Sequence, residues 1–173
     1  DLLGKEVFGS LLENKSYAEI GKRALKVVNA TNLIFPNEKM ALKDGLEKPG
    51  CQKLFSEALF SLLHDEGSMQ QRFTSFANAL EEIGAAKWTV VTYFLFTMHP
   101  DKYMFVKPTI TQYASEASGF EINYKPQLNW KTYKSVLEFS AHLFSGLSDL
   151  KPRDMIDVQS FMWCVAPGTY QGA

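Results

Sequence analysis

Two cysteines, Cys51 and Cys164, are too few and too far apart to build a disulfide framework or a Cys-rich zinc site. That scarcity fits a reducing, intracellular setting. Charge of one sign is missing as well: 18 basic residues stand against 19 acidic ones, so bulk positive charge does not drive the chain onto nucleic acid or anionic lipid. The longest apolar run, Trp88 to Met98, is well short of the roughly 20 residues a membrane-spanning helix needs, which points to a protein with no membrane partner. The N-terminal Asp-Leu-Leu-Gly-Lys-Glu has no basic and apolar signal pattern. It also lacks an initiator Met, and a processed or trimmed product is expected on that ground.

Several chemistries lack their motifs. No glycine-rich phosphate loop is present, and no G-x-S-x-G elbow or cysteine-protease signature surrounds a nucleophile. His64, His99 and His142 have no spacing that would aim two imidazoles at one metal, so no metal ligand and no cofactor is expected. The carboxylate pairs Glu81-Glu82 and Asp154/Asp157 read as solvated helix ends, and Asp154 sits in a first turn, where negative charge is favoured by the helix dipole. No catalytic residue is assigned, although an enzyme with a site assembled only in space stays open.

What is there is helical patterning. With 46% hydrophobic and 13% aromatic residues the chain has the profile of one globular domain, residues 1–173, with 1–15 and 166–173 expected to be loosely ordered. Ser16 and Glu19 have the form of a capping box opening a helix to about Ala30, with Tyr17, Ile20, Ala24, Val27 and Val28 inward. Lys22, Arg23 and Lys26 on its other side read as a solvated face. A short helical turn or two is expected after Asn37, ahead of Gly45 and Pro49-Gly50. Stripes then predict helices over Cys51–Leu63, from a Ser68 cap to Ile83, and from Trp130 to near Gly146. Pro108 opens another, stopped by Gly119, and Pro152 opens the last. Trp88 to Met98 has strand-like composition but helical length. It is assigned as a buried central helix, followed by an extended Tyr103–Lys107. The fold class expected is an all-α bundle of about six or seven helices.

The segment Leu80-Glu-Glu-Ile-Gly84-Ala-Ala-Lys87-Trp88-Thr89 joins two of these helices through a tight turn at Gly84. Unpaired N–H groups in a helix's first turn can bind phosphate, and Lys87 stands beside them. From Ala79 to Ala114 the sequence resembles the helix-hairpin-helix DNA glycosylase superfamily, especially its alkyl-adenine branch, in its Ile83-Gly84 turn, its Lys87-Trp88-Thr89 start and the stretch Tyr103 to Gln112. The resemblance implies a helix-hairpin-helix-like turn that binds DNA weakly and salt-dependently through Gly84, Ala85, Ala86, Lys87, Lys107 and Thr109. It departs from the family at two points. Glu82 replaces the first hairpin glycine, and Lys107-Pro108 stand where the family carries its catalytic aspartate, with Asp101 lying upstream. A lysine cannot stabilise a developing sugar cation, so no base excision is expected.

A DNA-binding face would be assembled from Lys87, Lys102, Lys107 and Lys125 or Lys131. Lys87 and Lys107 are expected on one face as exposed charges whose removal leaves stability intact. The stretch Lys87 to Val165 also resembles bacterial proteins sharing a phrase like Met104-Phe-Val-Lys-Pro-Thr, an Asn-Trp like Asn129-Trp130 and an Arg153-to-Phe161 ending. That likeness implies a bacterial or phage origin and a cytoplasmic location, and no activity. The reading is therefore a non-enzymatic, nucleic-acid-binding domain. The alternative is a protein–protein interaction module whose aromatics build a core and one apolar groove.

Overall fold

The computed structural model describes residues 2–169, and among them the secondary structure is helical, with no strand. Nine α-helices are present among the described residues: α1 (Lys5–Glu13), α2 (Tyr17–Asn29), α3 (Pro36–Leu46), α4 (Cys51–His64), α5 (Met69–Ile83), α6 (Trp88–Met98), α7 (Pro108–Ala117), α8 (Trp130–Gly146) and α9 (Met155–Val165). A single 3-10 turn spans Ser148–Leu150. The chain divides within α6 into a first unit ending at Val91 and a second beginning at Thr92.

In the first unit α4 and α5 form the main packed pair, joined by a short loop through Gly67. Their inward stripes, Phe55, Leu59 and Leu62 against Phe73, Phe76 and Leu80, are fully buried. Phe55 and Phe76 meet with ring centroids 5.6 Å apart, and Phe73 stacks on Trp88 at 6.2 Å. Fully burying such a ring contributes about 1.5–3 kcal/mol. Residues 88–96 of α6 are all buried, which its apolar composition demands and which helical geometry allows by pairing the backbone groups beyond its first and last turns internally.

Three helices of the first unit differ from expectation. No apolar stripe marks a helix in residues 5–13, yet α1 forms there and seats Phe8 edge-on against Phe60 at 5.3 Å. Helix α2 starts where Ser16 predicts, but without the capping box: the Ser16 side chain makes no cap bond, the Ser16 N–H donates to Leu11 O at 2.8 Å, and Glu19 turns outward to Arg23 Nε at 2.9 Å. Helix α3 runs three turns rather than one or two. Pro36 suits its first turn, and the Glu38 carboxylate accepts from the Phe35 N–H at 3.2 Å, although Phe35 has no cap chemistry of its own.

Gly45 does not end α3 but lets it approach α5. A Cβ at this position would lie 2.6 Å from the Ile83 carbonyl oxygen. Only a residue without a side chain fits there.

In the second unit α9 packs on α7 and α8. The extended Tyr103–Lys107 is fixed by side chains instead of a partner strand: Tyr133 Oη donates to Met104 O at 3.1 Å, and the Val106 N–H donates to Thr92 Oγ1 at 2.9 Å. Burial pushes the Tyr133 hydroxyl far above its ordinary pKa, so it stays a donor. Gly119 stops α7 at φ 67°, as expected. Pro152 is not the start of the last helix. Asp154 caps α9 by accepting the Ile156 and Asp157 N–H groups at 2.9 and 3.3 Å, and carboxylate acceptors suit that position best.

Candidate functional site

The α5–α6 turn is built by Gly84 at φ 81° and ψ 23°, the left-handed conformation glycine tolerates best. Three of its N–H groups are already engaged. The Gly84 N–H donates to Glu81 O at 3.0 Å, Ala85 N–H to Leu80 O at 2.8 Å and Lys87 N–H to Ala85 O at 2.9 Å. Trp88, Thr89 and Val90, the first turn of α6, are 3%, 1% and 0% exposed, which keeps their N–H groups away from any phosphate in solution.

An anion already serves this turn from within the fold. Glu38 of α3 accepts a hydrogen bond from Thr89 Oγ1 at 2.8 Å and so brings its charge to the positive end of the α6 dipole. A cation serves the other helix end: Lys48 Nζ donates to Ile83 O at 3.0 Å, at the C-terminus of α5. Of the residues expected to bind nucleic acid here, Gly84 and Lys87 are exposed, Ala86 is half-buried and Ala85 is buried.

Lys107 and Thr109 belong to the second unit, at the start of α7. Thr109 is exposed. Lys107 is 8% exposed, which corrects the expectation of a solvated charge. Its N–H donates to Thr111 Oγ1 at 3.2 Å, the local bond that holds the chain at the helix entry. Lys102, Lys125 and Lys131 are exposed in the same unit. Among the described residues no three of His, Cys, Asp and Glu stand where they could share a metal ion, and no helix is long and apolar enough to cross a membrane.

A different feature emerges in the first unit. Helices α2 and α3 are joined by a short loop, and Gly21 faces Leu46, its Cβ position lying an ordinary 3.6 Å from Leu46 Cδ1. Between them runs an open groove of about 520 Å³, walled by Ala18, Gly21, Leu25 and Leu46. It continues past Leu25 into a further hollow of about 380 Å³ at Pro36 and Met40. Ala18 and Leu46 mark one end while Asn29 and Pro36 mark the other, so the two helices run antiparallel. Each wall spans eleven residue steps, roughly 16 Å at helical rise.

The floor is apolar and the rim is charged. Met40 stands 62% exposed, a large apolar side chain left to solvent in the hollow. On the α2 wall the charged residues are Lys22 and Lys26. The α3 wall is mixed: Lys43 pairs with Glu47 at 3.9 Å, Asp44 lies beside them, and the Lys39 ammonium donates to Thr31 O. Arg23, neighbouring Lys22 and Lys26 in sequence, is held off the groove by Glu19, whose carboxyl is kept below its ordinary pKa by that hydrogen bond.

Reading α2 alone assigns its lysines to a solvated face. The available signal was a repetition: Lys22/Lys26 on one helix and Lys39/Lys43 on the next, each pair at four-residue spacing beside an apolar residue, Leu25 or Met40. Such spacing puts both lysines of a pair on one helical face. No family model, curated protein or solved structure matches this chain.

Proposed function

We propose that the chain is a non-enzymatic helical module that receives an amphipathic helix of a protein partner in the α2–α3 groove. The observation that carries this reading is the open apolar strip formed by Ala18, Leu25, Pro36 and Met40 between antiparallel helices of matching length. Two parallel walls of three turns make a cradle for a third helix, and recognition of this kind reads apolar anchors at three- and four-residue spacing. Methionine suits such a surface because its unbranched thioether adapts to the side chains it meets.

A second reading is weak binding of nucleic acid at a helix-hairpin-helix-like α5–α6 turn. The exposed Lys87 beside a left-handed glycine supports it. Because the N–H groups of Gly84, Ala85 and Lys87 are engaged, the contact would rest mainly on the Lys87 charge and carry a low salt slope, about one unit per phosphate. Base excision is not part of this reading, since Lys107 holds the place of the acid.

Fluorescence anisotropy separates the two. A labelled amphipathic peptide of about 14 residues, long enough to line three turns of helix, is titrated against the full chain. A scrambled peptide of the same composition and a labelled duplex in about 50 mM salt serve as comparisons. The groove reading predicts saturable binding of the amphipathic peptide over its scramble. Duplex binding without peptide binding would replace it with the nucleic-acid reading.

A further inference from the structure

We infer that the partner helix is acidic, and on one flank in particular: its carboxylates face the α2 wall. This rests on the groove reading above and adds the charge and orientation of the occupant. The two rims differ. The charged residues on the α2 wall are Lys22 and Lys26, both exposed and one helical turn apart. On the α3 wall the positive charge of Lys39 and Lys43 is offset by two carboxylates: Lys43 pairs with Glu47, and Asp44 lies beside it.

A helix laid on the apolar floor therefore meets a positive rail on one side and a nearly balanced one on the other. Lysine stems can lie along apolar surface while the ammonium groups stay in water, so Lys22 and Lys26 both extend the floor and present charge at its edge. Two carboxylates spaced i and i+4 on the partner's flank would meet them with little desolvation, which makes the contact salt-sensitive and selective rather than strong. Basic or phosphate-rich occupants fit worse. A cationic flank is repelled by the rail, and a phosphodiester backbone gains nothing from Leu25, Pro36 and Met40.

The test uses the full chain and labelled amphipathic peptides sharing one apolar stripe. Their α2-facing flank carries Glu, Gln or Lys at two i, i+4 positions. The Glu peptide is expected to bind about tenfold tighter than the Gln peptide, about 1.4 kcal/mol for two exposed pairs, and to lose that advantage in high salt. Lys22→Glu together with Lys26→Glu should weaken the Glu peptide by about tenfold and restore the Lys peptide, whereas Lys43→Gln should change either by less than about threefold. Met40→Ser, at an exposed position that leaves the fold intact, should weaken all three peptides alike. Equal binding of the Glu and Gln peptides, or an effect of Lys43→Gln as large as that of the α2 pair, overturns the acidic-flank inference while the groove reading stands. Failure of every amphipathic peptide to bind overturns both.

Discussion

Replacing Gly45 by alanine should destabilise the protein, against the usual sign for a glycine inside a helix. An exposed helical Gly→Ala change gains about 0.5–1 kcal/mol, because alanine gives up less backbone freedom on folding. At Gly45 the new methyl would sit 2.6 Å from the Ile83 carbonyl oxygen and 3.0 and 3.1 Å from Ile83 Cγ1 and Cβ. The closest of these atoms is backbone, so it cannot rotate away. Overpacking of this kind costs about 1–3 kcal/mol. The same movement would draw Ile83 O off Lys48 Nζ, now 3.0 Å away, and losing a hydrogen bond costs a further 0.5–1.5 kcal/mol, roughly. The net expectation is a loss of about 0.5–4 kcal/mol once the helical gain is subtracted. Gly9 in α1 is the control: its Cβ position meets Phe60 Cε2 at an ordinary 3.8 Å, so Gly9→Ala should gain the full helical increment. Urea unfolding followed by helical circular dichroism measures both, with an unchanged slope showing that stability moved and the unfolded state did not. A Gly45→Ala protein as stable as the parent would refute the close approach of α3 to α5.

Tyr133→Phe should lower stability by about 1–3 kcal/mol in the same assay, because it leaves the buried Met104 carbonyl without its donor. Lys107→Ala should destabilise while Lys87→Ala stays within about 0.5 kcal/mol of the parent, since one side chain is buried and the other is not. The Asp157 carboxyl is held down at about 2, chiefly by the hydrogen bond from the Arg153 side chain and then by the Arg153 N–H. Its folded pKa lies below its unfolded one, so its contribution is complete above about pH 4 and disappears as pH falls through about 2. Asp157→Asn should therefore flatten the acid limb of the stability curve in that window, and an unchanged limb would show that the pair does not persist in solution.

Where the chain's own periodicity decides structure, the sequence was legible. The stripes of α2, α4, α5 and α8 led to helices close to their observed bounds, and Trp88–Met98 became a helix despite its β-rich composition. Gly84 and Gly119 were readable as left-handed stops because few other residues adopt that conformation. Local signals failed where tertiary neighbours compete for the same atoms. Glu19 forms no capping box because Arg23 claims it, and α3 looked short because Gly45 reads as a break until Ile83 is seen against it. At the α5–α6 turn the glycine was visible, but not the engagement of its N–H groups or the Glu38 carboxylate arriving from a distant helix. The groove was out of reach for the same reason. Lys22 and Lys26 acquire meaning only opposite Leu46 and Lys43, which a single helix's pattern does not contain.

Backbone amide shifts of the isotopically labelled full chain, titrated with the acidic amphipathic peptide, test the central claim most directly. The groove reading predicts perturbations concentrated in residues 18–29 and 36–47, strongest at Leu25 and Met40, with Ala86 and Lys87 unmoved. Shifts centred on Ala86 and Lys87, or none along α2 and α3, would contradict it.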